Sequence, residues 1–275
     1  MPKIIEKRVL AEKVIEMRIE APDIAKAAHP GQFIILRIDE SGERIPLTIA
    51  DSDEDSVTIV FLVVGRTTHD LSLLNKGDSI ADLAGPLGKP SEMEKFGHVV
   101  VIGGGLGVAP VYPIAKKLKL LGNKVTGIIG YRSKDLVFWE EKMKTVLDEL
   151  YVATNDGSYG MKGFVTDALA KVLEHEKVDR VIAIGPPVMM RAVADLTREK
   201  NIKTIASINS IMIDGIGMCG VCRVEVAGET KFACYDGPDF DAHEVNWDLL
   251  LKRNSTYAEE EKLAYAKCLD GDKCH

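Results

Sequence analysis

The chain has 275 residues, enough for two or three domains, and its 46% hydrophobic and 28% charged residues are those of an ordinary globular protein. Its net charge of −7 argues against nucleic-acid binding, for which a basic surface is expected. The N-terminus mixes charges from the start and lacks the apolar core of a signal peptide. The longest uncharged run, residues 99–115, is too short and too rich in Gly and Pro to span a membrane. We therefore expect a cytoplasmic protein without membrane attachment.

Residues 1–95 contain short runs of apolar and β-branched residues separated by turn residues, a pattern typical of an antiparallel β-barrel. Strands are predicted at residues 33–38, 45–50 and 56–64. Two segments carry polar side chains suited to binding: Arg44 and Thr48 lie on one predicted strand, and residues 65–68, Gly-Arg-Thr-Thr, lead into a helix predicted at 70–74. A glycine turn with hydroxyls at a helix start suits a phosphate, although an ordinary turn with satisfied hydrogen bonds explains it equally.

Residues 96–208 alternate between apolar strands and helices, which predicts a doubly wound parallel sheet of α/β type. Such strands are buried on both faces and read as continuous apolar runs. The strands are predicted at residues 99–102, 125–130, 150–154, 180–184 and 203–208. One helix is predicted to follow residue 110 and end at residue 120, and two others are predicted at residues 136–150 and 188–200.

Two loops of this region follow buried strands and open helices, where ligands of doubly wound sheets bind. Residues 103–110 read Gly-Gly-Gly-Leu-Gly-Val-Ala-Pro, a G-x-G-x-x-P variant of the dinucleotide fingerprint, and residues 185–190 form the second loop. A tight strand-to-helix turn without a ligand is the alternative for either loop alone. After the second strand comes Arg132 rather than the acidic residue of many NAD sites, so the 2′-phosphate of NADP is a second possibility.

Residues 209–275 contain a pattern of metal ligands. Asp214, Cys219, Cys222 and Cys234 are spaced Asp-x4-Cys-x2-Cys-x11-Cys, the plant-type [2Fe-2S] framework with aspartate in place of the first cysteine. The carboxylate is a harder donor than a thiolate, so such a cluster would have an unusual potential. The sequence predicts a small cluster domain here.

The residues between these ligands suit a loop that curls around a cluster. A hairpin that turns at Gly228 would bring Cys234 back beside Cys222. Three glycines permit the positive φ angles that the loop needs: Gly215, Gly217 and Gly220.

Other readings of the cysteines remain. Cys219 and Cys222 are half of a possible zinc site that lacks a second close pair, and a disulfide is disfavoured because nothing marks the chain for export. The fourth cluster ligand could be Cys268 or Cys274 instead of the aspartate, and Cys274 with His275 could bind a metal. The amphipathic stretch at residues 256–268 caps the domain or contacts a partner subunit.

The order of these parts resembles the ferredoxin-reductase-like electron-transfer subunits of the dihydroorotate dehydrogenase type. The resemblance covers nearly the whole chain and rests on residues 46–48, 65–68, 103–110, 185–186 and the cluster loop. More closely, residues 154–166, 214–223 and 232–238 are similar to the small subunits of electron-bifurcating NADH-dependent ferredoxin:NADP oxidoreductases and their sulfide-dehydrogenase relatives, in which aspartate is also a cluster ligand.

The resemblance implies FAD in the barrel, NAD(H) over the sheet, the [2Fe-2S] cluster in the loop, and a larger flavoprotein iron–sulfur subunit as partner, with ferredoxin reached through it. Flavin is also expected in the barrel on chemical grounds, because it accepts a hydride as an electron pair and releases electrons singly. The implied FAD contacts are Pro46, Leu47, Thr48 at the reactive edge, Val63, Val64, Gly65, Thr67 and Thr68, with Arg44 or Arg66 on the phosphates. The implied NAD(H) contacts are Gly104, Gly105, Gly107, Gly185 and Pro186.

The sequence therefore predicts an NAD(P)H-dependent electron-transfer subunit of a heterodimeric oxidoreductase. Its nearest alternative is the electron-transfer subunit of dihydroorotate dehydrogenase, where cysteine is expected at position 214, followed by a sulfide dehydrogenase or hydrogenase subunit. An alternative of a different class is a non-catalytic zinc-bearing scaffold on a nucleotide-binding fold.

Overall fold

Seven antiparallel strands and two short helices form the N-terminal part of the chain. The structure is a computed structural model that describes residues 1–269. The elements of this part are β1 (Ile4–Ala11), β2 (Val14–Glu20), α1 (Pro22–Ala27), β3 (Phe33–Arg37), β4 (Ile45–Thr48), β5 (Asp51–Ser52), β6 (Ser56–Leu62), α2 (Arg66–Leu73) and β7 (Asp82–Leu87).

These strands form two antiparallel sheets around one core. The sheet orders are β1-β2-β6-β5 and β4-β3-β7. Alternate residues point inward because side chains alternate across a strand, and the fully buried ones include Met17, Ile34, Leu36, Ile59 and Phe61. The predicted antiparallel barrel is confirmed.

A seven-stranded sheet with helices on both faces follows. Its order is β11-β10-β9-β8-β12-β13-β16, and the first six strands are parallel. The central β8 has no solvent exposure along residues 99–102, as the continuous apolar run predicts. The elements up to β13 are β8 (His98–Gly104), α3 (Val108–Leu120), β9 (Lys124–Tyr131), α4 (Glu140–Lys144), β10 (Glu149–Thr154), β11 (Met161–Lys162), α5 (Val165–His175), β12 (Arg180–Ile184), α6 (Pro187–Arg198) and β13 (Lys203–Ser207).

The C-terminal part carries the cluster loop and completes the sheet. Its elements are β14 (Arg223–Val226), β15 (Glu229–Phe232), β16 (Asp239–Asp241), α7 (Trp247–Asn254) and α8 (Ala258–Leu269). β16 pairs antiparallel with β13, so a strand from beyond the cluster loop forms the edge of the nucleotide sheet. We retain the division at residues 95 and 208 as a proposal. Within residues 1–269, no helix is both long and apolar enough to cross a membrane.

The helix predicted at residues 136–150 is confirmed only at Glu140–Lys144, and its predicted extent is wrong. A 3-10 turn at Lys134–Leu136 is followed by α4, and β10 already begins at Glu149. Trp139 has a left-handed φ of 58°, which interrupts any helix through this segment. Its indole Nε1 donates a 2.9 Å hydrogen bond to Glu16 on β2, so a tertiary contact with the barrel accompanies the break.

Candidate functional site

The loop between β13 and β14 carries the predicted cluster ligands. The β14–β15 hairpin turns at Ala227 and Gly228, as predicted, and returns Cys234 to Cys222. The Sγ atoms of these cysteines lie 3.2 Å apart, well beyond the roughly 2.05 Å of a disulfide bond. Both are buried free thiols, so the structure brings two of the predicted ligands together without a covalent bond.

Asp214 and Cys219 form a second pair of candidate ligands. Oδ2 of Asp214 accepts a 2.6 Å hydrogen bond from the backbone N–H of Cys219, and Oδ1 accepts one of 3.0 Å from Ile216. Partial burial acts to raise the pKa of Asp214, but these hydrogen bonds outweigh it and hold the pKa below its usual value. Asp214 is therefore a carboxylate, the form in which it can bind a metal. The loop glycines have the predicted positive φ angles: Gly215 (75°), Gly217 (85°) and Gly220 (65°).

The chemistry of these four groups fits a [2Fe-2S] cluster. Burial, and then the neighbouring Cys222 thiol, raises the pKa of Cys234 to about 12, so forming adjacent thiolates requires a cation beside them. Within residues 1–269, no three of the four ligand atoms converge to within 4.8 Å of one another, as the ligands of a single zinc ion would. The buried pair Cys222 and Cys234, and the pair of partly buried Asp214 and exposed Cys219, instead match two ligands for each iron of the cluster.

The alternative fourth ligand, Cys268, contacts a different part of the chain. Its Sγ lies 3.4 Å from Nδ1 of His69 on α2. The structure therefore groups it with the barrel helix rather than with the cluster loop. Cys274, the other alternative, and His275 lie outside the described residues.

The cluster loop packs directly on the barrel. A Cβ atom on Gly215 would lie 2.8 Å from the side chains of Ile35 on β3 and Leu87 on β7, and the φ of 75° at this position also favours glycine. On its other side β3 pairs with β4, where Ile35 is opposite Pro46. The cluster loop therefore contacts the direct strand neighbour of Pro46, one of the residues predicted to face the flavin ring.

The register of β4 sorts the predicted flavin contacts into two faces. Thr48 is opposite Phe33 on the outer face, whereas Leu47 is opposite Ile34, whose side chain lies in the barrel core. Because paired residues share a face, Pro46 and Thr48 can both meet a ring on the outside of the barrel. Leu47 packs against the core and can meet that ring only through its backbone.

The start of α2 differs from the prediction. The helix begins at Arg66, four residues before the predicted start, because Oγ1 of Thr68 accepts a 3.0 Å hydrogen bond from the backbone N–H of Gly65 and caps the first turn. The Thr67 hydroxyl donates to Glu43 over 2.8 Å. Both hydroxyls have protein partners, so a phosphate here would use backbone amides. A Cβ on Gly65 would have no atom within 4 Å, which leaves space for a ligand.

The remaining residues predicted to contact FAD differ in solvent exposure. Val63 is buried and continues the barrel core, whereas exposed side chains surround the start of α2 and precede β4: Val64, Arg66 and Arg44.

The two glycine loops meet at the carboxyl edge of the parallel sheet. The chain leaves β8 towards β9 on one side and later returns to β12 on the other, so a crevice opens between β8 and β12. Gly103 and Ile184 are paired at the ends of these strands. The next residues lie side by side, since a Cβ on Gly185 would be 3.1 Å from the Cα of Gly104. The structure thus brings the two predicted loops together, and the exposed Pro186 follows in the second.

The glycines of the first loop have different surroundings. Gly105 has a φ of 55° and faces open space, whereas a Cβ on Gly104 would lie 2.3 Å from Sδ of Met189. A Cβ on Gly107 would lie 2.1 Å from the backbone oxygen of Ile184. Packing of α3 on β12 therefore already requires glycine at 107, while Gly104 and Gly105 remain candidates for close approach of a nucleotide.

The comparisons with known proteins agree with this geometry. Residues 101–195 match the oxidoreductase NAD-binding domain, and residues 209–246 match the iron-sulfur cluster binding domain of dihydroorotate dehydrogenase B. The chain is 49% identical over 269 residues to the dihydroorotate dehydrogenase B (NAD(+)) electron transfer subunit homolog of Thermotoga maritima, covering 97% of this chain and 95% of the relative. The chain belongs to the family of dihydroorotate dehydrogenase B electron-transfer subunits.

Other members and neighbours agree. The electron transfer subunit of Listeria innocua dihydroorotate dehydrogenase B is 38% identical over 254 residues, covering 89% of this chain and 97% of that subunit. A solved chain of the NADH-dependent reduced ferredoxin-NADP oxidoreductase, studied for flavin-based electron bifurcation, superposes with a TM-score of 0.93 at 48% identity and covers 98% of both chains. The predicted fold, the oxidoreductase class and the cofactors FAD, [2Fe-2S] and NAD(H) are confirmed. The zinc-bearing scaffold is therefore set aside.

Three features of the site were not predicted. The Trp139–Glu16 bond between barrel and nucleotide domain involves residues 123 apart along the chain. The grouping of Cys268 with α2 is longer in range still. The inward side of Leu47 could have been read from strict alternation with Pro46 and Thr48.

Proposed function

We propose that this chain is the NADH-oxidising subunit of an electron-bifurcating NADH-dependent ferredoxin:NADP oxidoreductase. A larger flavoprotein subunit with further iron–sulfur clusters would be its partner, and ferredoxin would react there. The single observation that carries the proposal is the carboxylate of Asp214 beside Cys219, in a loop that otherwise supplies three thiols. The 0.93 TM-score to the bifurcating enzyme over 98% of both chains supports it.

The proposed path follows the three sites. Bound FAD would supply the conversion of a hydride from NAD(H) into single electrons, and a cluster held by Asp214, Cys219, Cys222 and Cys234 would carry these electrons one at a time. Gly104, Gly105 and Gly185 would admit the nucleotide to the crevice, and Thr48 would present its hydroxyl to the flavin edge. The contact of Gly215 with β3 supports a short step from barrel to cluster.

The side chains around the cluster loop supply a docking face for the partner. Large apolar residues surround the loop while remaining exposed: Ile213 (48%), Ile216 (52%), Met218 (82%) and Tyr235 (62%). Exposed apolar groups gathered in one place mark interaction surfaces. Because Cys219 is exposed among them, the partner would meet the chain where an electron leaves it.

The nucleotide is proposed to be NAD(H). The exposed Arg132 follows β9 at the same sheet edge as the glycine loops and could pair with a 2′-phosphate, so it is the residue to test. If Arg132→Ala changes the KM for NADPH and leaves that for NADH unchanged, Arg132 contacts the phosphate and the preference for NADH is set elsewhere.

The experiment isolates the native complex through a tag on this chain. We expect a yellow-brown complex containing a larger flavoprotein, with NADH bleaching the flavin of the isolated subunit. Met218→Asp should abolish co-purification while iron content and NADH bleaching persist. Leu120→Asp, at an equally exposed apolar residue (76%) on α3, should leave the complex intact. A preparation whose flavin is not bleached by NADH would refute the proposal.

The second candidate is the electron-transfer subunit of a dihydroorotate dehydrogenase, favoured by the name of the 49%-identical relative. The large chain that co-purifies distinguishes the two functions. A partner that oxidises dihydroorotate would replace the bifurcating proposal, as would one active on sulfide or hydrogen.

A further inference from the structure

A second group of metal-ligand side chains lies where α8 packs against α2. His69 and Asp70 are neighbours on α2, and Cys268 on α8 follows His69 by 199 residues. All three are partly buried, and Nδ1, a carboxylate oxygen and Sγ lie within 4.8 Å of one another. Nothing in the redox path described above uses this group.

The spacing of the three ligand atoms is that of a tetrahedral ion. Sγ of Cys268 lies 3.4 Å from Nδ1 of His69 and 3.7 Å from Oδ1 of Asp70, and the nitrogen and oxygen are 3.4 Å apart. Zinc bonds of about 2.3 Å to sulfur and about 2.0 Å to nitrogen and oxygen place such atoms about 3.5 Å and about 3.3 Å apart. The three side chains therefore already stand close to the corners of a zinc site.

The surrounding groups orient these ligands. Oδ2 of Asp70 faces Nε of Arg66 at 3.8 Å, which leaves Oδ1 directed towards the cysteine and histidine. The ring of Tyr265 meets His69 edge to face, with centroids 6.1 Å apart, and covers one side of the imidazole. A thiolate and a carboxylate would neutralise a divalent cation, and imidazole completes a donor set typical of zinc.

Helix α8 buries few side chains among residues 258–268. It has 12 residues, and among residues 258–268 only Ala258, Tyr265 and Cys268 are partly buried, while Leu263 is 63% exposed. A helix of this length is marginal unless tertiary packing holds it. Metal binding would supply the missing stabilisation at the point where the helix touches the barrel.

We propose that His69, Asp70 and Cys268 bind one Zn²⁺ ion that links α8 to α2, with water in the fourth position. The ion is structural and separate from the [2Fe-2S] cluster. The proposal does not depend on which partner or acceptor the chain serves.

The experiment titrates the full-length protein, with FAD and iron in place, with ZnCl₂ after weakly bound metal has been removed by a chelator. We expect one zinc per chain, and X-ray absorption at the zinc edge should show one sulfur neighbour with nitrogen and oxygen. Cys268→Ser should weaken zinc binding at least about 10–100-fold, the range seen even for outer-shell changes. Cys274→Ser, a matched thiol change in the same tail, should retain zinc and the single sulfur.

Asp70→Asn provides a second variant if Cys268→Ser disturbs folding, since it keeps the shape of the side chain and removes the charge. FAD and iron contents measured on each variant identify a folded protein. Three outcomes would overturn the proposal: no zinc binding at micromolar concentration, zinc with three sulfur neighbours as in the cluster loop, or affinity unchanged in both variants.

Discussion

Nε1 of Trp139 donates a 2.9 Å hydrogen bond to Oε2 of Glu16, a buried carboxylate on β2 of the barrel. The Lys142 ammonium lies 3.8 Å from the centre of the same indole and pairs with Asp51 on β5 at 2.9 Å. These two links run from the nucleotide domain to the flavin barrel. We expect them to set the orientation in which a nicotinamide in the crevice would meet a ring on the barrel face.

Trp139→Phe removes the indole donor and leaves Glu16 without it. We expect the variant to lose about 1–3 kcal/mol of stability, the cost of an unsatisfied buried polar group. NADH should also reduce the flavin several-fold more slowly, because hydride transfer depends on orientation. Denaturant unfolding and stopped-flow absorbance measure the two effects. Glu16→Gln keeps an acceptor and should stay close to wild type; equal stability of wild type and Trp139→Phe would contradict the role given to this bond.

Asp214 is expected to be a cluster ligand. Asp214→Ala should lose most of its iron and sulfide, because one iron then has only Cys219 from the protein. Asp214→Cys should keep the cluster with a changed midpoint potential, since a thiolate is a softer donor than a carboxylate. Iron and sulfide analysis with visible spectroscopy gives the answer. Full iron content in Asp214→Ala would show that another residue supplies the ligand.

The Thr48 hydroxyl is expected to act at the flavin edge. Thr48→Ala should bind FAD normally but slow its reduction by NADH about tenfold or more, as loss of one well-placed hydrogen bond does. Thr48→Ser restores the hydroxyl and should recover most of the rate. Rapid-reaction absorbance distinguishes the variants, and an unchanged rate in Thr48→Ala would leave the residue with a packing role only.

Two glycines of one loop should respond differently to alanine. Gly107→Ala forces a Cβ to 2.1 Å from the Ile184 backbone and should destabilise the fold by about 3 kcal/mol. Gly105→Ala meets no atom within 4 Å and pays only for its positive φ, about 1–2 kcal/mol. If Gly105 faces the nucleotide, its variant should also raise the KM for NADH. Thermal unfolding and steady-state kinetics separate these effects, and equal stability losses would contradict the packing described.

The carboxyl of Asp239 on β16 makes stability depend on pH. Burial raises its pKa, against the opposing hydrogen bonds from Ser91 and Ser207. A raised folded pKa means that the folded state binds the proton more tightly, so stability falls as pH rises from the ordinary value near 4 through the folded pKa. Oδ1 lacks a hydrogen-bond partner among the described residues, which agrees with the cost of its charged form.

Asp239→Asn should therefore be more stable than wild type by about 1–2 kcal/mol at pH 8, with a smaller difference at pH 5. Denaturant unfolding at several pH values provides the comparison. Asp241→Asn, on the same strand but paired with Lys203 at 3.8 Å, should not show this trend. A gain for Asp239→Asn that grows towards acid pH would have the wrong sign.

Local patterns predicted much of this protein. The buried strand at residues 99–102, the loop after it and the hairpin that returns Cys234 depend on near neighbours in sequence. Longer-range contacts were not predictable in this way. Trp139 interrupts a predicted helix and donates a hydrogen bond to a carboxylate 123 residues away. β16 comes from the C-terminal part of the chain but pairs with β13 of the nucleotide-domain sheet.

The pairing of β16 with β13 holds both ends of the cluster segment on one sheet, since β13 ends at Ser207 just before the segment and β16 begins at Asp239 just after it. The segment that carries the predicted iron ligands therefore leaves the sheet from one strand and returns to the neighbouring strand, so both of its ends are fixed. We expect a chain that loses its iron to keep this strand pairing, so that reconstitution begins from a folded sheet. A chain cut before residue 239 would instead expose the unpaired edge of β13, which invites pairing with other molecules.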